Sequence, residues 1–297
     1  MDAKLVVNFP PDPNPKKPRL VAPPGSWDTH FHVWAPHLFP YAEKRRYTPP
    51  AAPVEHYLKI SRAIGLERGV IVQPSVHNNS TEVVTDAIAK SGGRLRGMVI
   101  AKADLTAEQG KRLHQAGVRG VRFNARRGHG NRFDVDLLHR TAAIVEPLRW
   151  ILDLQIDEDT LIEIPDVIRK ATLPIIIDTF GHIDARKGLQ QPAVRTLLEL
   201  IAGKQTRSPV YVKIHGANRF LEWGVPYDLI VGLARAYIKA APNRVLWGTD
   251  WPHSEVMDPN KMPNDGDLID MLLDYAPDEA LRRMILVNNP RDLFDFD

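Results

Sequence analysis

The feature that most constrains the fold is a regular alternation of short apolar runs with segments that carry an apolar stripe at helical spacing. Eight apolar runs are predicted as strands, at 26–33, 68–74, 95–101, 118–124, 150–155, 173–178, 210–215 and 244–250. Helices are predicted at 54–64, 81–90, 106–115, 135–145, 160–170, 193–202 and 229–240, with two more at 268–275 and 278–286. Near-continuous apolar strands are typical of a parallel sheet that is buried on both faces.

This alternation predicts an α/β protein with the (β/α)₈ TIM-barrel architecture, which commonly uses about 250 residues in one domain. A doubly wound open sheet is the competing fold. No Gly-x-Gly-x-x-Gly motif follows an early strand, as dinucleotide-binding members of that fold have. The barrel is therefore expected to form a single domain over residues 26–297.

The first 25 residues differ in composition from the rest of the chain. They are rich in proline, at positions 10, 11, 13, 15, 18, 23 and 24, and are predicted to form an extended N-terminal arm that packs over the domain or frays. A second irregular segment, residues 34–53, combines prolines with aromatic and basic side chains. It is expected to form a lid or wall over a pocket.

Composition excludes several classes of protein. The chain has no cysteine, so disulfides, thiolate metal sites and a cysteine nucleophile are excluded. A net charge of only +3, from 39 basic and 36 acidic residues, predicts no nucleic-acid partner. No apolar run approaches the roughly 18 residues of a membrane span, and residues 1–25 lack the apolar centre of a signal peptide. A cytoplasmic enzyme without a membrane partner is expected, whereas oligomeric state is not readable.

The barrel makes a specific prediction about function, because its active site forms at the carboxyl ends of the strands. His30 and His32 are one residue apart on the first predicted strand, so their side chains point the same way, and Asp250 ends the last strand. These three residues are the predicted catalytic group. The other strand ends supply candidate substrate-binding residues: Ser75, His77, Arg122, Thr179, His215 and Arg219.

Several motifs support a family resemblance that covers residues 23–293. They are Asp-x-His-x-His-Val at 28–33, Tyr-x-Pro at 47–49, Val-Ile-Val-Gln-x-Ser at 70–75, Arg-Gly-Val-Arg-Phe-Asn at 119–124, Ile-Ile-Asp-x-x-Gly at 176–181, Trp-Gly-Thr-Asp-Trp-Pro-His at 247–253, Asp-Gly at 265–266 and Asn-Pro at 289–290. With these motifs the chain resembles the amidohydrolase superfamily, within it the branch that contains 2-pyrone-4,6-dicarboxylate lactonase.

The resemblance implies a hydrolase that opens the ester bond of a small anionic lactone in the breakdown of aromatic compounds. Asp250 would activate water, and His30 and His32 would help polarise the lactone carbonyl. Substrate carboxylates would be held by basic residues and a tyrosine, here Arg122, Arg127, Arg219 and Tyr47. General-base catalysis and fixed cations are what such a reaction needs.

The chain departs from the lactonase pattern on strand six, where Thr179 stands in place of a histidine. His215 on strand seven is the candidate to replace that histidine, whereas His182 is not expected to do so. The departure leaves the identity of the lactone open between the pyrone dicarboxylate and a related muconolactone-type or sugar-acid compound.

The expected site works without a cofactor or metal ion. Metal-binding relatives add a strand-four Lys or Glu and histidines on strands five and six, and this chain has Arg122 and Thr179 there and no strand-five histidine. One zinc ion at His30, His32 and Asp250 is the alternative, and it would accompany a metal-dependent decarboxylase or lactone isomerase. A non-catalytic anion-binding barrel is the third reading, and it leaves the acidic Asp250 unexplained.

Overall fold

The computed structural model describes residues 6–77 and 80–294, and its centre is a sheet of eight parallel strands in sequential order. The strands are β1 Trp27–Phe31, β2 Arg68–Val72, β3 Leu95–Ile100, β4 Val118–Asn124, β5 Ile151–Gln155, β6 Ile175–Ile177, β7 Val210–Lys213 and β8 Val245–Leu246. Every neighbouring pair in this order is parallel. The predicted (β/α)₈ barrel is confirmed.

Helices surround the sheet and cover its outer face. They are α1 Val54–Ala63, α2 Glu82–Lys90, α3 Ala107–Gln115, α4 Val135–Val145, α5 Glu158–Glu163, α6 Pro165–Lys170, α7 Pro192–Ile201, α8 Ala217–Glu222, α9 Tyr227–Ala240, α10 Asp265–Tyr275, α11 Glu279–Arg283 and α12 Asn289–Phe294. Over the described ranges, no helix is both long enough and apolar enough to cross a membrane.

The structure differs from the predicted elements in four places. The helix predicted at 160–170 is two helices, α5 and α6, because Pro165 has no N–H to donate and starts a new helix at its first turn. Helices α8 and α12 were not predicted, since six residues are too few for a periodic pattern. Strand β8 has only two residues, and the segment that follows it leaves the sheet as an irregular turn.

The first and last strands meet through individual backbone hydrogen bonds. The N–H of Thr29 donates to the carbonyl of Trp247 (3.0 Å), that of Asp250 to the carbonyl of His30 (2.8 Å), and that of His32 to the carbonyl of Trp251 (2.7 Å). These bonds close the barrel. They also place β1 and the end of β8 side by side, so the predicted catalytic residues come together.

The buried carboxylate of Asp28 stabilises this closure through hydrogen bonds to β1 and to the residues that follow β8. The hydroxyl of Thr249 donates to its Oδ2 (2.6 Å), and the N–H groups of Thr249 and His30 donate to its Oδ1 (3.0 and 2.9 Å). Burial raises the pKa of the Asp28 carboxyl to about 6, against the lowering effect of these hydrogen bonds. Gly248 permits the close approach, because a Cβ there would lie 2.7 Å from the nitrogen of His30.

The barrel interior changes from apolar to charged along the strand direction. An apolar floor is formed by Trp27, Val70, Val72, Met98, Ile151, Ile176, Tyr211 and Leu246, and Phe294 stacks on Trp27. Side chains two residues further along a strand share its face. Asp153 and Lys213 therefore lie above Ile151 and Tyr211, and they form a fully buried ion pair of 2.7 Å. Polar chemistry is thus confined to the upper half of the barrel.

The N-terminal arm runs along one wall of the upper face. Val6–Val7 pairs in parallel with Tyr47–Thr48, and the side chain of the buried Asn8 accepts a hydrogen bond from the N–H of Val256 (2.8 Å). The arm thereby joins the 34–53 segment to the loop that follows β8. Residues 1–5 of the predicted arm and 295–297 of the predicted domain lie outside the described residues, and the domain boundary at residue 25 stays a prediction.

Candidate active site

A cavity of about 280 Å³ opens at the carboxyl ends of the strands, which is at the small end of the range for ligand pockets. Most of its lining side chains are polar or charged. They include His32, Lys44, Arg45, Arg46, Tyr47, Ser75, Arg122, Asn124, His129, Asn131, Gln155, Thr179, His182, His215, Arg219, Asp250, Ser254 and Glu255. The site is therefore suited to a small and highly polar molecule.

The predicted catalytic residues meet at one carboxylate oxygen. Oδ1 of Asp250 lies 3.5 Å from Nε2 of His32 and 3.7 Å from Nε2 of His30. Nδ1 of His32 lies 2.8 Å from the carbonyl oxygen of Val72, which can only accept, so Nδ1 carries the proton and Nε2 is an acceptor. Nε2 of His30 is buried and has no hydrogen-bond partner in the described part of the chain. Two acceptor atoms and the unpartnered Nε2 of His30 thus converge on one point.

The other oxygen of Asp250 is held by Arg219. Nε and Nη2 of Arg219 both donate to Oδ2, at 2.9 and 2.6 Å. Burial alone would raise the pKa of Asp250, but the adjacent Arg219 guanidinium is the largest of the influences that hold it well below its usual range. Asp250 is consequently an anion at neutral pH, with Oδ1 turned away from Arg219.

A second group of predicted residues surrounds Asp178, directly after β6. Nε2 of His215 donates to Oδ1 of Asp178 (2.7 Å) and lies 3.1 Å from the hydroxyl of Thr179, and Arg122 donates to Oδ2 (2.5 Å). Burial raises the pKa of Asp178, but the positive charges of Arg122 and Lys213 and the neighbouring imidazoles hold it well below its usual range. Arg122 therefore pairs with Asp178, and Asp153 is paired with Lys213.

These two groups touch through His30. Its ring stacks on that of His215 with centroids 4.0 Å apart, and its Nδ1 lies 3.3 Å from Oδ1 of Asp178 and 3.3 Å from Nζ of Lys213. Burial and the charge of His215 hold the pKa of His30 well below its usual range. His30 is thus neutral, and its orientation is set from below by charged groups that do not reach the cavity.

Basic side chains cover the outer part of the cavity, and Arg126 adjoins them through His129, with no carboxylate within ion-pair distance among the described residues. Its Nη1 lies 3.3 Å from Nε2 of His129, its guanidinium lies over the ring of Trp223 at 5.6 Å, and its Nε is buried without a partner among the described residues. Burial and the neighbouring Arg219 lower its pKa. Burial and Arg46 also lower the pKa of His129, to about 3.

Two of the predicted binding residues do not line this cavity. Arg127 points outward, with its side chain 44% exposed and its guanidinium paired with Glu163. Nε2 of His77 accepts the N–H of Ala35 (3.2 Å), and its ring packs on Tyr41 at 4.8 Å, so it supports the 34–53 segment from behind. Tyr47, Ser75, Arg122, Thr179, His215 and Arg219 do line the cavity.

Several cavity residues were not among the candidates, because they lie in segments without periodicity. Arg46 and Glu255, which form an ion pair, come from the 34–53 segment and the loop after β8. His129 comes from the loop after β4, where it contacts Arg126. Only the backbone path of this loop decides which of two adjacent arginines turns inward, so the sequence offered no basis to prefer Arg126 to Arg127.

Two sets of side chains bring ligand atoms of the kind that bind metal ions within 4.8 Å of one another. The first is His30, His32 and Asp250, and the second is His30, Asp178 and His215. All five residues are buried. The first set borders the cavity, whereas Asp178 already accepts hydrogen bonds from Arg122 and His215, which compete with a metal ion.

Comparison with known proteins places this geometry in a family. The model of the family described as Amidohydrolase matches residues 27–296. The chain belongs to the amidohydrolase family. It is 43% identical to a 4-sulfomuconolactone hydrolase of Hydrogenophaga intermedia over 93% of this chain and 90% of the relative. It is 32% identical to a 2-pyrone-4,6-dicarboxylate hydrolase of Comamonas testosteroni over 95% and 93% of the two chains.

A solved structure from Agrobacterium tumefaciens, determined without ligand, superposes with a TM-score of 0.81. It is 27% identical in sequence, and the match covers 94% of this chain and 99% of that one. The predicted membership of the amidohydrolase superfamily is confirmed. The family match spans all eight strands, from β1 to the residues that follow α12.

Proposed function

We propose that this protein hydrolyses the ester bond of a small anionic lactone in the breakdown of aromatic compounds. The observation that carries the proposal is the free Oδ1 of Asp250, which faces His30 and His32 inside a cavity lined by arginines. Relatives that hydrolyse 4-sulfomuconolactone and 2-pyrone-4,6-dicarboxylate, according to their names, support this reaction class. Cytoplasmic location and the absence of a nucleic-acid partner stay predictions.

In this reaction Asp250 acts as a general base. Oδ1 accepts a proton from a water molecule, and the water oxygen attacks the lactone carbonyl carbon. The tetrahedral intermediate then breaks the ring C–O bond, and the leaving oxygen takes the proton from Asp250. Arg219 holds Oδ2 throughout, which fixes the direction of Oδ1. One water is consumed, and the product carries one more carboxyl group than the substrate, which releases its proton to solvent at neutral pH.

The cationic lining is the proposed source of substrate selectivity. Arg46, Arg122 and Arg219 line the cavity, and Arg126 adjoins it through its contact with His129. A guanidinium binds a carboxylate or sulfonate through paired, charge-assisted hydrogen bonds. Neutral lactones would leave Arg126 without an anionic partner. The preferred substrate therefore carries at least one acid group in addition to the lactone.

The proposal is tested by following ring opening in the ultraviolet with purified protein. 4-Sulfomuconolactone and 2-pyrone-4,6-dicarboxylate are compared with a neutral five-membered lactone of similar size. We expect turnover of at least one anionic lactone and at least about 100-fold lower kcat/KM for the neutral compound, because two charge-assisted contacts are lost. Equal turnover of neutral and anionic lactones would contradict the proposed role of the arginines.

Adjacent arginines offer a matched test of the cationic lining. Arg126→Gln is expected to raise KM for the anionic lactone about 10-fold or more, because a partly buried cation beside the cavity, which attracts the acid group, is lost. Arg127→Gln should leave KM within about twofold, since Arg127 is paired with Glu163 outside the cavity. Steady-state kinetics on both variants decides the point. A larger rise in KM for Arg127→Gln than for Arg126→Gln would assign substrate binding to Arg127 instead.

A metal-dependent reaction is the second candidate, and the convergence of acceptor atoms favours it. Nε2 of His32 and Oδ1 of Asp250 are acceptors that face one point, and Nε2 of His30 is a third acceptor there when its Nδ1 donates to Asp178. Nδ1 of His32 faces the backbone carbonyl of Val72, and Nδ1 of His30 faces the Asp178 carboxylate. In metal-ligating histidines the second ring nitrogen has a partner of this kind. These residues fit one zinc ion. Bound there, zinc would lower the pKa of a water molecule and polarise the substrate.

Metal content and activity separate the two candidates. The metal-dependent candidate predicts about one equivalent of bound zinc, measured by mass spectrometry. It also predicts that 1,10-phenanthroline abolishes activity and that added zinc restores it. His32→Asn should lose the metal, whereas His139→Asn, an exposed control on α4, should keep it. The metal-independent candidate predicts that the metal-free protein turns over at the full rate. If the protein does not hydrolyse the lactone and instead forms a decarboxylated or isomerised product, the decarboxylase or isomerase reactions of the superfamily would be favoured.

A further inference from the structure

The segment that follows β6 holds an unusual backbone conformation beside the cavity. Thr179, Phe180, Gly181 and His182 all have positive φ, at 48°, 54°, 71° and 47°. A residue other than glycine in this left-handed region is strained, and the conformation persists only where the surrounding structure enforces it. Such conformations concentrate at ligand-binding sites, so the side chains that this segment presents are candidates for function.

Buried contacts enforce this conformation from the outer side of the barrel. Phe180 is fully buried and packs against the rings of Phe220, Tyr237 and Tyr275, and the hydroxyl of Tyr237 donates to its carbonyl oxygen (3.0 Å). The N–H of Gly181 donates to the carbonyl of Asp178 (2.9 Å). Because Phe180 points outward as an anchor, the next side chains of the turn are held at the cavity in a fixed orientation.

His182 is the side chain that this turn brings to the cavity. It lines the cavity together with Arg219 and Asp250, and both of its ring nitrogens are buried without a hydrogen-bond partner in the part of the chain that the structure describes. An imidazole that is satisfied by the protein would have at least one partner for its N–H. Two unpartnered nitrogens carry a desolvation cost, which a bound molecule can remove.

The electrostatic surroundings of His182 define what it can offer. Burial is the main cause that holds the pKa of His182 well below its usual range, and the positive charges of Arg126 and Arg219 add to it, against the opposing effect of Asp178. The ring is therefore neutral and has one donor and one acceptor. A neutral donor near two arginines contributes a hydrogen bond to an anion without adding to the repulsion between the cations.

We propose that His182 contacts the substrate directly and donates an uncharged hydrogen bond to the acid group that Arg219 attracts. His182 and Arg219 then form one anion subsite, with the positive charge of Arg126 behind His129, and this assignment deepens and rests on the proposed lactone hydrolysis. His182 selects the substrate in this assignment and does not move a proton. Its loss should therefore weaken binding and leave the chemical step intact.

Two substitutions at His182 separate the effect of its hydrogen bond from the effect of its ring size. His182→Phe keeps the size of the ring and removes the donor, and KM for the anionic lactone is expected to rise about 5- to 15-fold with kcat within about twofold. His182→Gln restores an amide donor and should return KM to within about threefold of the wild-type value. His139→Phe, at an exposed position on α4, is the control. An unchanged KM in His182→Phe, or a lower kcat at unchanged KM, would overturn the proposal.

A binding measurement keeps this test independent of turnover. Isophthalate, a planar dicarboxylate without an ester bond, is titrated calorimetrically into the wild-type protein and both variants. The expected result is a 5- to 15-fold weaker Kd for His182→Phe and recovery in His182→Gln. If the wild type binds isophthalate in this manner but opens neither lactone, the subsite stands and the proposed function fails. Wild-type protein that does not bind isophthalate, or equal binding by His182→Phe, would reject the subsite.

Discussion

Replacing Asp250 with Asn should reduce kcat for the anionic lactone by about 10³-fold or more, because general-base catalysis commonly contributes 10²- to 10⁴-fold and Asn cannot accept the proton of water. The barrel should remain folded, since Asn keeps the size of the side chain and an oxygen acceptor for Arg219. Steady-state kinetics and a thermal unfolding curve measure the two effects separately.

The control for this prediction is the same change at an exposed aspartate. Asp166 lies on α6 with its side chain 79% exposed, and Asp166→Asn should alter neither kcat nor the unfolding temperature. Isophthalate binding by the Asp250→Asn protein would demonstrate an intact cavity. Turnover within tenfold of the wild-type rate in a folded Asp250→Asn protein would remove Asp250 from the role of base under either candidate mechanism.

Lys213→Met is expected to be the most destabilising of the single changes considered. It removes the partner of Asp153 where both side chains are fully buried, and it leaves Asp178 with one cation fewer nearby. Breaking a buried ion pair from one side costs about 3–5 kcal/mol, because the remaining charge stays desolvated. The free energy of unfolding in urea measures the loss. Lys204→Met, at a side chain 66% exposed, should change it by less than about 0.5 kcal/mol.

A double variant shows whether the unpaired charge is the cause. Lys213→Met with Asp153→Leu removes both charges and fills the space with apolar groups, and such replacements are often close to neutral. The double variant should therefore be more stable than Lys213→Met alone. A double variant at least as unstable as the sum of the two single variants would indicate that the cost arises from packing.

The fold was predictable because its signal is repeated and local. Each strand is an apolar run that is recognisable by itself. Because the strand–helix unit occurs eight times, errors in the predicted ends of single strands do not change the predicted fold. The failures lie where the signal is short. Strand β8 has two residues, and α8 has six. Pro165 was visible in the sequence and marked the end of one helix, so the division between α5 and α6 was available and was missed.

The candidate site was predictable to the extent that the strands position it. His30, His32, Arg122, His215 and Asp250 follow directly from the rule that strand ends meet at one face of a barrel. The rule did not predict which side chains form ion pairs with one another. Whether Arg122 pairs with Asp153 or Asp178 depends on side-chain height within the barrel, which is set by the register between neighbouring strands.

Loop residues were the part that could not be derived. Arg126 and Arg127 have the same chemistry, and only the path of the loop turns one inward. His182 was dismissed because it is three residues beyond the position at which the family has histidine. The run of positive φ that brings it to the cavity has a single glycine, so nothing in its composition marks it. His215 as the replacement for the missing histidine stays a prediction, with its Nε2 at 3.1 Å from Thr179.

The way in which the barrel closes has a consequence for how activity appears during synthesis and refolding. His30 and Asp250 are 220 positions apart in the chain and become neighbours only when β1 joins the end of β8. Contacts of such large sequence separation form slowly, because a long loop must be closed first. Helices and most strand pairs can form earlier, between adjacent segments. Recovered turnover therefore reports the last step of assembly, and it should lag behind the recovery of helical signal.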